Sequence, residues 1–142
     1  RTDVSSVKIA FKNVDGGGSI SLGMGIALVT TAASFDGVNA VRHLVANQAS
    51  FSGVSDRDVP INSWGKAIAS GYAASVVISH VGTSITITAG DVLIPSTVAG
   101  TFFSSVTAQA MSTLLYRYVQ AGTSATVSTQ VQSYLSGIVH AM

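Results

Sequence analysis

Residues 70–103 read SGYAASVVISHVGTSITITAGDVLIPSTVAGTFF, and this segment sets the fold class. Ile85 and Ile87 alternate with Ser84, Thr86 and Thr88, a period of two that places apolar side chains on one face of a strand. Ala89-Gly90-Asp91 breaks the run, Val92-Leu93-Ile94 resumes it, and Pro95-Ser96 ends it. Strand, turn, strand and stop follow, with Gly and Pro as punctuation. Residues 73–81 read as a further strand, with Ser75 and Ser79 among apolar neighbours. Asp91 is the one side chain here expected to be charged at neutral pH. The segment is suited to forming a sheet and a packing surface, with no reaction centre.

Upstream, Val7, Ile9 and Phe11 alternate with Lys8 and Ala10, so residues 1–12 read as an extended N-terminal arm leading into a strand. Asp15-Gly16-Gly17-Gly18-Ser19 is a turn, and the apolar run 20–31 is interrupted by Gly23 and Gly25, as where a strand bends or meets another backbone. Residues 34–39 are another turn, 41–46 and 50–54 short strands, and Asp56-Arg57-Asp58 an exposed loop closed by Pro60. Trp64-Gly65 begins a new element. In 101–120, Val106, Ala110, Leu114 and Tyr118 follow helical spacing, yet Leu114, Tyr116 and Tyr118 also alternate. That segment is either a short helix or extended. Residues 134–142 read as a terminal strand. The expected architecture is all-β, a compact barrel or sandwich of short strands, with an arm over 1–12 and a single β-rich domain over 13–142.

Composition agrees. The 142 residues are 9% charged, against about 25% in ordinary globular proteins, and Glu is absent. With only three Lys and 14 Gly, the chain lacks the helix formers that coat a solvated bundle. So few charges leave little with which to keep copies apart, which points to a surface partly covered by other proteins or further copies. Cys is absent, so redox compartment cannot be read. No apolar run approaches the roughly 20 residues that cross a bilayer, and no membrane partner is expected. The chain opens at Arg1, as expected of a processed chain or one numbered from an internal residue.

Reactive constellations are missing. His43, His80 and His140 are far apart, without Asp, Glu or Cys at ligand spacing, and read as structural or surface residues. There is no Cys nucleophile and no G-x-S-x-G elbow. Gly16-Gly17-Gly18 and Gly23-Met24-Gly25 do not continue into a P-loop or a dinucleotide fingerprint, so turn and bend are their roles. Asp56-Arg57-Asp58 lacks the twelve-residue calcium pattern. Net charge is +1, and basic residues are scattered outside Arg1, Lys8 and Lys12, so direct nucleic-acid binding is not expected. Trp64, Tyr72, Phe51 and Phe35 read as core or interface packing. No enzyme activity, metal or cofactor is expected.

The middle of the chain resembles a known family. Phe51-Ser52-Gly53-Val54 leads to Trp64-Gly65-Lys66-Ala67, Ser70-Gly71-Tyr72-Ala73 and Val76-Val77-Ile78. Ile87-Thr88-Ala89-Gly90-Asp91-Val92-Leu93, Pro95-Ser96-Thr97 and Ala99-Gly100 follow. Over about residues 49–103, with 138–142 as a matching last strand, the pattern resembles the head-decoration, or capsid cement, proteins of tailed bacteriophages. The N-terminal region and residues 101–132 depart from it. The resemblance implies a small β-rich virion structural protein on the outer capsid surface, a homotrimer whose partner is the major capsid protein, with no catalytic residues. It makes the arm a candidate for adding a strand to a neighbour, through Arg1, Val7, Lys8, Ile9, Phe11 and Lys12. Two alternatives share the composition: a self-assembling coat or tail-tube subunit, and a carbohydrate-binding or adhesin-like β-domain using Trp64 and the tyrosines as a stacking platform.

Overall fold

The computed structural model of the chain describes residues 6–29, 37–44, 50–79, 85–96, 98–104, 118–127 and 133–141. The strands are β1 (Val7–Asn13), β2 (Gly25–Leu28), β3 (Asn39–Arg42), β4 (Phe51–Ser55), β5 (Trp64–Ile78) and β6 (Ile85–Ile87). They continue as β7 (Val92–Pro95), β8 (Phe102–Ser104), β9 (Tyr118–Ala121), β10 (Ala125–Val127) and β11 (Ser133–His140). Among the described residues there is no α-helix, and the fold is all-β. Residues 105–117 lie outside the described residues; the ends of the ambiguous 101–120 segment, β8 and β9, are extended.

Nine strands form one sheet that closes on itself twice. The order β1-β3-β2-β4-β5 returns to β1, making a five-stranded barrel, and β5-β11-β9-β7-β8 returns to β5. The 15-residue β5 belongs to both rings. Its first half runs antiparallel to β1, from Lys12↔Trp64 to Val7↔Ser70, and meets β4 at Val54↔Ile68. Its second half runs antiparallel to β11, from His140↔Ser70 to Ser133↔Ile78, and ends beside β8 at Ile78↔Phe102. Ser70 is the crossover, paired with Val7 on one side and His140 on the other.

Each ring is filled by its own apolar cluster. Phe11, Ile20, Ile26, Ala40, Val59 and Ala67 pack in the first; the second includes Val76, Ile78, Leu93, Phe102, Val119 and Val139. Ala67 belongs to one cluster and its neighbour Ile68 to the other, because successive side chains leave opposite faces of a strand. For the same reason β4 is buried along its whole length.

The rings meet at His43. Its N–H donates to the Gly25 carbonyl (3.1 Å), its carbonyl accepts from the Gly100 N–H (2.8 Å), and the Gly25 N–H donates to the Gly100 carbonyl (3.0 Å). The imidazole packs against Phe51 (5.6 Å between centroids) and Phe102 (4.4 Å). A Cβ on residue 25 would run into Nδ1 and Cε1 of that imidazole, so Gly25 is what lets the ring lie on the backbone.

Two expectations are corrected, and one turn is placed. From Val7 onward the supposed arm is a strand integral to the first barrel: Phe11 is fully buried, and β1 continues across the expected boundary between residues 12 and 13. The elements expected to begin at Trp64 and at Ala73 are one strand, which passes through Gly71 at φ 112. β6 and β7 flank the expected turn, with Gly90 at φ 96 and the Asp91 N–H donating to the Thr88 carbonyl at 2.9 Å, yet they do not pair with each other. β6 pairs with β10, and β7 with β8 and β9, so the turn is a corner between sheets.

Candidate interaction faces

The first face is the outer side of the β1–β5 ladder. Gly65 and Ala67 are buried, so the alternate positions Trp64 and Lys66 point outward. Cross-strand partners share a face, which places Lys12 opposite Trp64, Ala10 opposite Lys66 and Lys8 opposite Ile68. All three lysines of the chain and its single tryptophan thus share one surface. Trp64 is 59% exposed, which makes it a surface residue and removes core packing from its expected roles.

One carboxylate borders this face and is already engaged. Asp56 accepts from Arg57 Nε at 2.7 Å and from Lys8 Nζ at 2.9 Å. The Arg57 hydrogen bond holds its carboxyl below the usual range against partial burial, with Lys8 adding to the effect. Asp58, in the same loop, accepts from the Leu22 N–H at 2.7 Å. Lys12 and Lys66 have no ion-pair partner among the described residues.

A second face covers β5, β11 and β9. Tyr72 and Gln120 flank Ile138, and Ser70 and Tyr118 flank His140, in adjacent register. The Tyr118 and His140 rings stack with centroids 4.6 Å apart and planes 27° apart. Tyr72 is 48% exposed, and Tyr134, at the start of β11, 61%. These positions carry aromatic rings, Ser, Gln and Ile, and no Lys, Arg or Asp.

Of the six arm residues expected to bind a neighbour, Phe11 is core and Ile9 packs half-buried against it. Val7, Lys8 and Lys12 reach the surface, and Arg1 lies outside the described residues. The backbone of β1 facing β5 is occupied by the ladder, so that side takes no added strand. Phe51 is buried, as expected; Phe35 lies outside the described residues.

The histidines do not converge. His43 is fully buried with neither ring nitrogen hydrogen-bonded in good geometry, His140 stacks on Tyr118, and His80 lies outside the described residues. Burial lowers the His43 pKa to about 4, and the backbone of Gly25 and Thr101 offsets this only in part. Among the described residues no three His, Asp, Glu or Cys side chains are grouped to hold a metal ion. A groove of about 130 Å³ between Leu22, Ser55, Ile68, Ala73 and Ser75 is small beside the roughly 300–1,000 Å³ of ligand pockets. No helix among the described residues is long and apolar enough to cross a membrane.

Sequence reasoning missed the exposure of Trp64, although a signal was present. Lys66, two positions on, marks the solvent side of a strand whose other positions here are Gly65 and Ala67. It also missed Asn13, buried with Nδ2 donating to the Val59 carbonyl at 2.9 Å and its side-chain oxygen accepting from the Asp15 N–H at 2.8 Å. Compared with protein-family models and with curated proteins, the chain matches none.

Proposed function

We propose that the chain is a virion structural protein that binds the outer surface of an assembled phage capsid as a small oligomer, a trimer, and stabilises it. The observation that carries this is the placing of Trp64, Tyr72 and Tyr134, all exposed, on strands held in closed β rings. Exposed aromatics on a rigid frame are what a protein–protein contact uses, since they bury large area with little ordering cost. A protein that binds only the assembled lattice stabilises it by mass action, without chemistry. The resemblance over residues 49–103 and the scarcity of charge support the same reading.

Exposure of the same aromatics also favours the carbohydrate-binding alternative, in which Trp64 stacks on a sugar ring. Co-sedimentation of the purified chain with empty capsids of the phage that encodes it, with light scattering of the free chain, tests the proposal. The expected result is a small oligomer that pellets with the shells and raises their disruption temperature. Spontaneous large particles would reassign the chain as a coat or tube subunit, and glycan-array binding without shell binding would reassign it as a lectin-like domain.

A further inference from the structure

We infer that the outer face of the β1–β5 ladder is a docking surface for a carboxylate-rich patch on a partner protein, with Trp64 as its central anchor and Lys12 and Lys66 as its charge readers. This deepens the reading above and rests on it only in taking the partner to be a shell protein.

The distribution of charge carries the inference. In a chain only 9% charged, all three lysines fall on one sheet face, and Arg57 borders it through Asp56. Among the described residues Arg42 is the one cation placed elsewhere, where Asp15 holds it at 2.9 Å. Asp56 is shared between Lys8 and Arg57, and Asp58 is turned to the Leu22 N–H, leaving Lys12 and Lys66 for charges from outside. An exposed sheet this poor in ions does not concentrate its lysines around its only tryptophan for solubility alone, since scattering them would serve better.

The chemistry of the face selects among anionic partners. β5 is paired with β1 along Trp64–Ser70 and with β4 at Ala67 and Ile68, so across this face a partner meets side chains. A phosphate backbone is matched by runs of cations: two free lysines would release about two counterions, too few for the affinities that phosphate contacts supply. A flat indole ringed by a few cations is the arrangement of a protein interface, in which an aromatic anchor is buried and rim charges set approach and register.

Trp64 is the only tryptophan, so its emission reports directly on the face. The test titrates the full chain with poly-L-glutamate at low salt, with oligothymidylate and a neutral cello-oligosaccharide in parallel. The expected result is a shift or quench of Trp64 emission by poly-L-glutamate, weakened more than tenfold in about 0.5 M sodium chloride, where charges are screened within a few ångströms. Lys12→Gln combined with Lys66→Gln should weaken it about tenfold, with thermal unfolding unchanged, while Thr126→Ala on β10 leaves binding as it was. No response to poly-L-glutamate, or an equal response in the double variant, overturns the inference. A stronger response to oligothymidylate or to the oligosaccharide overturns it too, assigning the face to nucleic acid or glycan. Co-sedimentation with capsids separates the two claims. Shell binding indifferent to the double variant and to salt defeats the docking face and leaves the capsid role standing. A poly-L-glutamate response without shell binding defeats the capsid role alone.

Discussion

The imidazole of His43 lies 4.4 Å, centroid to centroid, from the ring of Phe102, at a 43° tilt, and joins the ring led by β1 to the ring closed by β8. Charging that imidazole would put an ion among Phe51, Phe102 and the Gly25 backbone, with no carboxylate among the described residues to receive it.

The consequence is acid sensitivity above the carboxylate range. The His43 pKa is lowered from 6.5 to about 4, so between those values the unfolded chain binds more protons than the folded one. Stability is therefore fully present above pH 6.5, falls as the pH drops, and levels off below about 4. The whole step is about 3 kcal/mol. Urea unfolding at pH 7.5 and 4.5 checks this: His43→Leu should reduce most of the difference seen in the native chain.

Gly25→Ala should be destabilising by about 1–3 kcal/mol, the usual cost of overpacking. The new methyl meets His43 and lies 2.8 Å from Phe102 Cζ. A lower urea midpoint with an unchanged slope is the expected signature.

Removing residues 1–6 should leave the domain folded, whereas removing residues 1–12 should unfold it, because the second truncation takes away Phe11 and most of β1. Phe11→Ala alone should cost about 3–5 kcal/mol. Circular dichroism and urea titration of the three variants give the comparison.

Asp15→Asn should cost about 1 kcal/mol after allowance for solvent screening. Burial pushes the Asp15 carboxyl up, but hydrogen bonds from the Arg42 side chain, the Arg42 N–H and the Gly17 N–H outweigh it and hold it low. Its contribution is present above its ordinary value and is lost as the pH falls below about 4. Thermal unfolding of the variant at neutral pH and near pH 3 should show the deficit shrinking in acid.

Tyr72→Ser and Tyr134→Ser should shift unfolding by no more than about 0.5 kcal/mol, since both side chains are exposed. If the capsid reading holds, the pair should abolish co-sedimentation with shells at protein concentrations that saturate the native chain.

Much of the β character was legible from local patterns. Ile85 and Ile87 alternate as a strand, Gly90 takes the turn its neighbours announce, and β11 lies where residues 134–142 read as a terminal strand. Pairing was not legible, because it depends on residues far apart in sequence. Nothing near Ile87 names Ala125 as its partner, and nothing near Phe11 says that Gly65 lies opposite it. The unity of β5 was hidden because Trp64 and residue 73 read as separate starts; Ser70 between them is the crossover where the two rings exchange neighbours. Of the candidate faces, the lysines could be found by their types, but their gathering around Trp64 comes from the register of two strands more than fifty residues apart.

Because one strand serves as a wall of both rings, losing that strand opens both. Cutting the chain near Ser70 would open two seams at once, and heating should give a single calorimetric transition in place of two. Whatever loosens β5 therefore loosens both cores.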